Sequence, residues 1–240
     1  VDFKEKKVDL ISIPRDTYVV IPGYVGKARI NSAFTLGGGI NEKAFRNSMN
    51  TVSRLMGGVP IYYYVGVEMQ MVIDVIDHMG GLEFEVDVPV DVAGRRFIEP
   101  GLQKLTGLQV LDYARHRHTR FGDIDRIARQ QRLLMAIFDQ MKSMDQLKNL
   151  PALYNDVKNN MHTNLSLKQI AALGLFAMEL ETQSFSMHSM PGYFLDMNGA
   201  SYWGVDQKGR QALIKEIFDI EVPLEEEDRP SSRGRSEKKR

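Results

Sequence analysis

The sequence contains no cysteine. Disulfide frameworks, zinc–thiolate centres and thiol catalysis are therefore excluded, while an exported location stays open. No run approaches the roughly 18–20 apolar residues that span a bilayer; the most apolar stretches, 61–67 and 171–178, are far shorter. Charge of one sign is missing too. Thirty-one Lys+Arg balance thirty-one Asp+Glu, which argues against nucleic-acid binding through bulk positive charge but leaves a local patch open. The chain opens on Val1, with no secretory n-region, h-region or cleavage pattern. It reads as a piece of a longer protein cut upstream, with its anchor outside these residues. GxSxG, HExxH, P-loop and dinucleotide fingerprints are all absent.

What remains is an ordinary globular composition, 43% hydrophobic and 26% charged over 240 residues, enough for a sizeable core without staples. Residues 1–222 are read as one domain. Residues 223–240, acidic and then rich in Ser, Pro and basic residues, are read as a disordered charged tail. No internal repeat is found.

The pattern along the chain is α/β. Val8–Pro14 reads as a buried strand ended by Pro14, and Tyr18–Ile21 as a second. Phe45, Met49, Val52 and Met56 recur at helical spacing before Gly57-Gly58. Ile61–Val65 reads as a strand, Met69–Met79 as an amphipathic helix, and Leu82–Val90 as a half-exposed strand with Glu83, Glu85 and Asp87 on its polar face. Gly101–Leu111 reads as a short helix and Tyr113–Thr119 as an alternating strand. Ile124–Met141 is a helix whose stripe is Ile127, Leu134, Phe138 and Met141. Ser166 and Gln169 predict a capping box. Phe185–Met190 reads as a strand, Asp206 opens a last helix over 207–218, and Tyr202-Trp203 are packing aromatics. Gly37-Gly38-Gly39 is a weak phosphate-loop signal beside its plainer reading as a turn.

One segment stands apart. Residues 113–132 hold Arg115, Arg117, Arg120, Arg126, Arg129 and Arg132, opposed only by Asp123 and Asp125. On a strand Arg115 and Arg117 would share a face. On the next helix Arg126 and Gln130 share one, continued by Leu133 and Ile137. Two unit charges about 6 Å apart repel by roughly 3 kcal/mol at an effective dielectric of ~20. An anion reverses that sign, because guanidinium forks fit phosphate bidentately and a helix N-terminus adds donors. Two readings stay open: a multi-phosphate site, or a solvated arginine face paired locally with Asp123 and Asp125. Arg15, at the carboxyl end of a buried strand, either stands where open α/β sheets place ligands or is a surface arginine of the turn after Pro14.

Ser12-Ile-Pro-Arg-Asp-Thr17, Arg29-Ile-Asn-Ser-Ala33, Gly37-Gly38, the 101–111 link, Arg115-His-Arg117 and Asp123-Ile-Asp-Arg126-Ile-Ala-Arg129-Gln130-Gln131 resemble, in order and spacing, blocks of the LytR-CpsA-Psr family. The resemblance covers roughly residues 5 to 145. It implies an α/β/α sandwich with a central mixed sheet, helices on both faces and a core that also holds a polyprenyl chain. It implies a phosphotransferase on the outer face of the cell membrane, chiefly in Gram-positive bacteria. Such an enzyme moves a glycan polymer (wall teichoic acid, capsule or similar) from undecaprenyl pyrophosphate to peptidoglycan. By that resemblance Arg15, Arg115, Arg117 and Arg126 are pyrophosphate-binding arginines, and Asp123 and Gln130 are polar residues of the same site. Arg29, where the family often has Lys, is a supporting phosphate contact. Val72, Ile73, Ile76, Leu134, Ile137 and Phe138 are proposed for the isoprenoid groove, with ordinary core as the alternative. Mg²⁺ is the implied cofactor. Its paired aspartates lie upstream in the family, so no metal ligand is assigned in this chain, which alone is expected to bind the lipid weakly without turnover. Two other classes stand beside the enzyme: a non-catalytic polyprenyl-pyrophosphate or anionic-polymer binding module, and an envelope-related transcriptional attenuator. Zero net charge and the lack of a basic helix-turn-helix speak against the last, and no nucleic-acid partner is expected.

Overall fold

A computed structural model describes residues 1–92, 96–116, 123–144, 154, 158–197 and 199–226. In chain order, β1 (Val8–Ser12) precedes the hairpin of β2 (Tyr18–Val20) and β3 (Lys27–Arg29), then α1 (Ser32–Leu36) and α2 (Glu42–Leu55). Next come β4 (Val65–Val67), α3 (Met69–His78), β5 (Leu82–Val86), β6 (Val90–Val92), β7 (Arg96–Ile98) and β8 (Gly101–Leu105). They are followed by α4 (Gly107–Arg115), α5 (Asp123–Ser143), β9 (Met161–Thr163) and α6 (Leu167–Glu179). The chain closes with β10 (Phe185–Ser189), β11 (Gly192–Met197), β12 (Ala200–Val205) and α7 (Gln207–Phe218). Helix and strand are mixed throughout, so the architecture is α/β as the sequence pattern predicts. Among the described residues the ladders are two-stranded pairs: β1–β10, β2–β3, β4–β9, β5–β8, β6–β7 and β11–β12.

The chain forms two compact units. The first is Val1–Leu10 with Tyr63–Met187. Its core gathers Ile76, Leu82, Phe84, Val86, Ile98, Leu105, Val110, Tyr113 and Leu133. The alternation in β5 places Leu82, Phe84 and Val86 inside and Glu83 and Glu85 in water. Thr106 caps α4 in a reciprocal box with Gln109. Gly107 lets α4 approach α3, since a Cβ there would stand 2.4 Å from the Ile73 carbonyl oxygen. The second unit is Ile11–Tyr62 with His188–Arg240. Asn41 caps α2 by accepting from the Ala44 amide, and Asp206 caps α7 through the amides of Lys208 and Gly209. Val19, Ile21, Leu55, Met56, Met190, Val205, Ile214 and Val222 form its core.

Four sequence expectations are corrected. Residues 101–105 are strand rather than helix, because they pair with β5 from Gly101↔Val86 to Leu105↔Leu82 and bury Leu105 fully. Tyr113–Arg115 end α4 rather than start a strand: Val110 and Tyr113, three apart, both face the core and hold the helix on. His116 follows as the C-cap, and residues 117–119 of that expected strand lie outside the described residues. Between Ile61 and Val67 only Val65–Val67 pairs, because the partner β9 is short and the Tyr64 amide donates to the Asn164 side chain instead. The strand expected over Leu82–Val90 stops at Val86, and Asp87 turns its carboxylate to Tyr113 and Arg132.

Candidate anion-binding residues

In the second unit, Pro14 ends the approach from β1, and a turn follows in which the Thr17 amide donates to the Pro14 carbonyl at 3.0 Å. Asp16 is fixed by its backbone, its carbonyl accepting from the Trp203 amide at 3.0 Å. Its carboxylate meets two cations, with Arg15 Nε 3.5 Å away and Arg29 Nε 3.1 Å away. The second contact is an ion pair only: the distance suits a hydrogen bond, but Arg29 Nε is not aligned to make one. Arg29 is held further by a 3.0 Å bond to the Ser201 carbonyl and by the Tyr202 ring, whose centroid is 4.8 Å from the guanidinium carbon. One carboxylate thus serves two guanidiniums and leaves a surplus positive charge. Arg15, half-exposed, is the member free of such a cage. Gly37–Gly39 make the turn into α2: a Cβ on Gly37 would sit 2.2 Å from the Ala44 Cα, and Gly38 and Gly39 have φ near +95° and +94°.

In the first unit the arginine-rich segment enters α5. Arg126 and Arg129, three apart, are both buried, at 7% and 2% exposure. Burial of a guanidinium is costly unless it is paired. Arg129 donates to the His116 carbonyl and stands 5.8 Å from the Tyr113 ring centroid, while its buried Nε finds no acceptor among the described residues. Gln130 donates to the Ala114 carbonyl at 3.1 Å, so it braces the end of α4. Arg115 is exposed at that end. Arg132 is satisfied by Asp87 and the Glu85 carbonyl. Asp87 also accepts from the Tyr113 hydroxyl; burial, then that bond, push the Tyr113 pKa up to about 12. Arg117 and the Asp123 side chain lie outside the described residues.

The groove candidates divide. Ile76 is fully buried in the core, and Val72, Ile137 and Phe138 pack against it, Phe138 edge-on to Phe185 at 4.7 Å. Ile73 is half-buried, with its backbone against Gly107. Leu134 is 48% exposed: Leu133, one residue earlier, takes the inward position. Arg129 and Asp16 belong to these charged clusters but were not among the site residues expected from the sequence. Arg129 was legible from its i, i+3 relation to Arg126, whereas the double engagement of Asp16 was not.

The described residues gather no all-protein cage for a divalent cation. No group of three or more acidic or histidine side chains is gathered among them, and the one carboxylate of Asp16 is shared between two arginines.

The LytR_cpsA_psr family model matches residues 1–219, and the chain belongs to that family. It is 29% identical over 221 residues to the polyisoprenyl-teichoic acid–peptidoglycan teichoic acid transferase TagT of Bacillus subtilis, a match covering 89% of this chain and 65% of TagT. It is 32% identical over 178 residues to the regulatory protein MsrR of Staphylococcus aureus, covering 72% of this chain and 51% of MsrR. The chain therefore spans between half and two thirds of the length of these relatives. The solved structure of TagT bound to LI-WTA superposes with a TM-score of 0.74 at 28% identity, over 89% of this chain and 79% of that one.

Proposed function

We propose that this protein is a phosphotransferase that moves an anionic glycopolymer from a polyprenyl-pyrophosphate carrier to peptidoglycan at the outer face of the cell membrane. The observation that carries the reading is the pair of buried arginines at the start of α5, Arg126 and Arg129, beside exposed Arg115. Membership of a family whose relatives include named teichoic acid transferases supports it.

The chemistry asked of these residues is electrostatic. An acceptor hydroxyl oxygen forms a bond to the polymer-side phosphorus and gives up its proton. The bond from that phosphorus to the bridging oxygen breaks, and polyprenyl phosphate leaves with the electron pair. Arg115, Arg117 and Arg126 hold the pyrophosphate and offset the charge that grows on the leaving oxygen. Arg15, in the second unit, is proposed by itself as a phosphate-binding residue, paired with Asp16.

The test is a thermal shift with a short polyprenyl pyrophosphate on the wild type, Arg126→Gln and Arg115→Ala/Arg117→Ala. Ligand at about 100 times Kd should stabilise the wild type by about 2.7 kcal/mol. The reading requires that shift to shrink in both variants. A wild-type shift that survives in both would place the lipid elsewhere, and no shift at all would remove the carrier from the account.

A further inference from the structure

A second group of cations lies in the second unit and shares no residue with Arg15, Asp16 and Arg29. An open cavity of about 550 Å³ is walled by Asn50, Ser53 and Arg54 from α2, by the Gly57–Gly58 turn, and by Pro223 and Glu225, with Arg210 of α7 also lining it. Glu225, Arg54 and Arg210 also line a smaller neighbouring hollow that Lys27 borders.

Arg210 is 1% exposed, yet every acceptor it meets is neutral. Its Nε donates to Gln207 Oε1 at 2.9 Å, and its two terminal nitrogens to the carbonyls of Leu55 at 2.9 Å and Pro223 at 2.8 Å. The Leu55 bond occupies the carbonyl end of α2, which would otherwise repel an anion. Desolvation lowers the Arg210 pKa, and the charge of Glu225 is what opposes that shift. Glu225 is exposed and makes no ion pair with Arg54 or Arg210 among the described residues. Arg54 is exposed and likewise has no acidic partner there. The cavity therefore carries two cations and a single acid whose charge reaches Arg210 but which forms no close ion pair with either arginine among the described residues.

We propose that this cavity is a binding site for a phosphorylated polyol or sugar, its phosphate taken by Arg54 in the field of buried Arg210, with Glu225 as the counter-charge it displaces. The size argues for more than a bare phosphate: about 300–1,000 Å³ is the range of small-molecule sites. Beyond the arginines the lining offers Asn50 and Ser53 for hydroxyl groups and uncharged glycine and proline walls. The inference does not rest on the proposed transferase activity.

The experiment is calorimetric titration with sn-glycerol 3-phosphate, with glycerol as the neutral control. Saturable binding of the phosphate and none of glycerol is expected. Arg54→Ala, at an exposed position, should weaken binding by about tenfold or more, the loss of a charge-assisted bond. Glu225→Gln should tighten it several-fold, and Arg15→Ala should leave it unchanged. A free metabolite and a unit of a polymer share this chemistry. A glycerol phosphate oligomer that binds more tightly than the monomer assigns the site to polymer, and the reverse assigns it to a free monoester. Equal affinity in Arg54→Ala and wild type, loss in Arg15→Ala instead, or no binding by either the wild type or Glu225→Gln overturns the proposal. The second of these would leave the transferase reading standing.

Discussion

Arg29 stands over the ring of Tyr202, its guanidinium carbon 4.8 Å from the ring centroid, while the same side chain bonds the neighbouring Ser201 carbonyl. The arrangement needs a planar, multi-donor cation. Arg29→Lys keeps the charge but cannot both reach the carbonyl and cover the ring. The side chain is more than a third exposed, so the stability cost should be modest, about 0.5–1 kcal/mol. Urea unfolding should show a lower midpoint with an unchanged slope. Tyr202→Phe, which keeps the ring face, should behave as wild type at this contact. An Arg29→Lys variant as stable as the parent would show that the cage contributes nothing.

Arg129 separates burial for function from burial for stability. Replacing buried charged groups by apolar side chains of similar volume is often neutral when no partner charge is left behind, and among the described residues Arg129 leaves only the His116 carbonyl without its donor. Arg129→Met should therefore unfold within about 1 kcal/mol of wild type. Its affinity for a short polyprenyl pyrophosphate should fall by about tenfold or more. A variant that loses several kcal/mol of stability but binds normally would make Arg129 a structural residue.

These two arginines also show what could be read from the sequence. Three helices with side-chain caps were legible, Asn41, Ser166 and Asp206 each accepting backbone bonds at the start of the helix expected there, whereas the Thr106–Gln109 box that opens α4 was not read. Strand 101–105 was not, because Gly-Leu-Gln-Lys-Leu has no strand bias of its own and is extended only by pairing with Leu82–Val86. The period of two in Arg115-His116-Arg117-His118 misled for a related reason. It is a period of polarity, while Val110 and Tyr113 set the burial and keep Arg115 helical. Within the arginine-rich segment, composition pointed to an anion, but the phase of α5 against the core decides that Arg126 and Arg129 go in and Arg132 stays out. The Asp16–Arg29 pair depends on the Tyr18↔Arg29 register of a hairpin, which no local pattern encodes.

Tyr113 supplies a pH dependence. It is fully buried, donates to Asp87 at 2.5 Å, and has a pKa raised to about 12 from a usual value of 10.0. Between those values the folded state holds the proton and the unfolded state releases it. Stability therefore falls as pH rises through that window, by up to about 2.7 kcal/mol for a two-unit shift. Tyr113→Phe loses the bond to a carboxylate, a cost of about 1.5–3 kcal/mol at neutral pH, but has no proton to release. Chemical denaturation of both proteins at pH 8, 10 and 11 should show the gap between them narrowing with pH. A constant gap would mean that the hydroxyl titrates alike in the folded and unfolded chains, so that burial and Asp87 do not hold its proton.

Gly57, in the turn after α2, packs against Val222 of the segment after α7. Gly57 has φ +72°, and a Cβ there would lie 2.2 Å from Val222 Cγ1. Val222 is itself 4% exposed, and its carbonyl accepts from Gln211. Gly57→Ala thus carries two penalties, about 1–2 kcal/mol for a left-handed alanine and about 1–3 kcal/mol for overpacking. Only the second can be relieved by trimming the neighbour. In a double-mutant cycle, Gly57→Ala/Val222→Ala should be more stable than the sum of the single losses predicts, by about 1–3 kcal/mol, while remaining less stable than Val222→Ala alone. Additive losses would show that the segment moves aside without strain. The staples that Arg210 and Gln211 make to Pro223 and Val222 would then be too weak to hold it against α2.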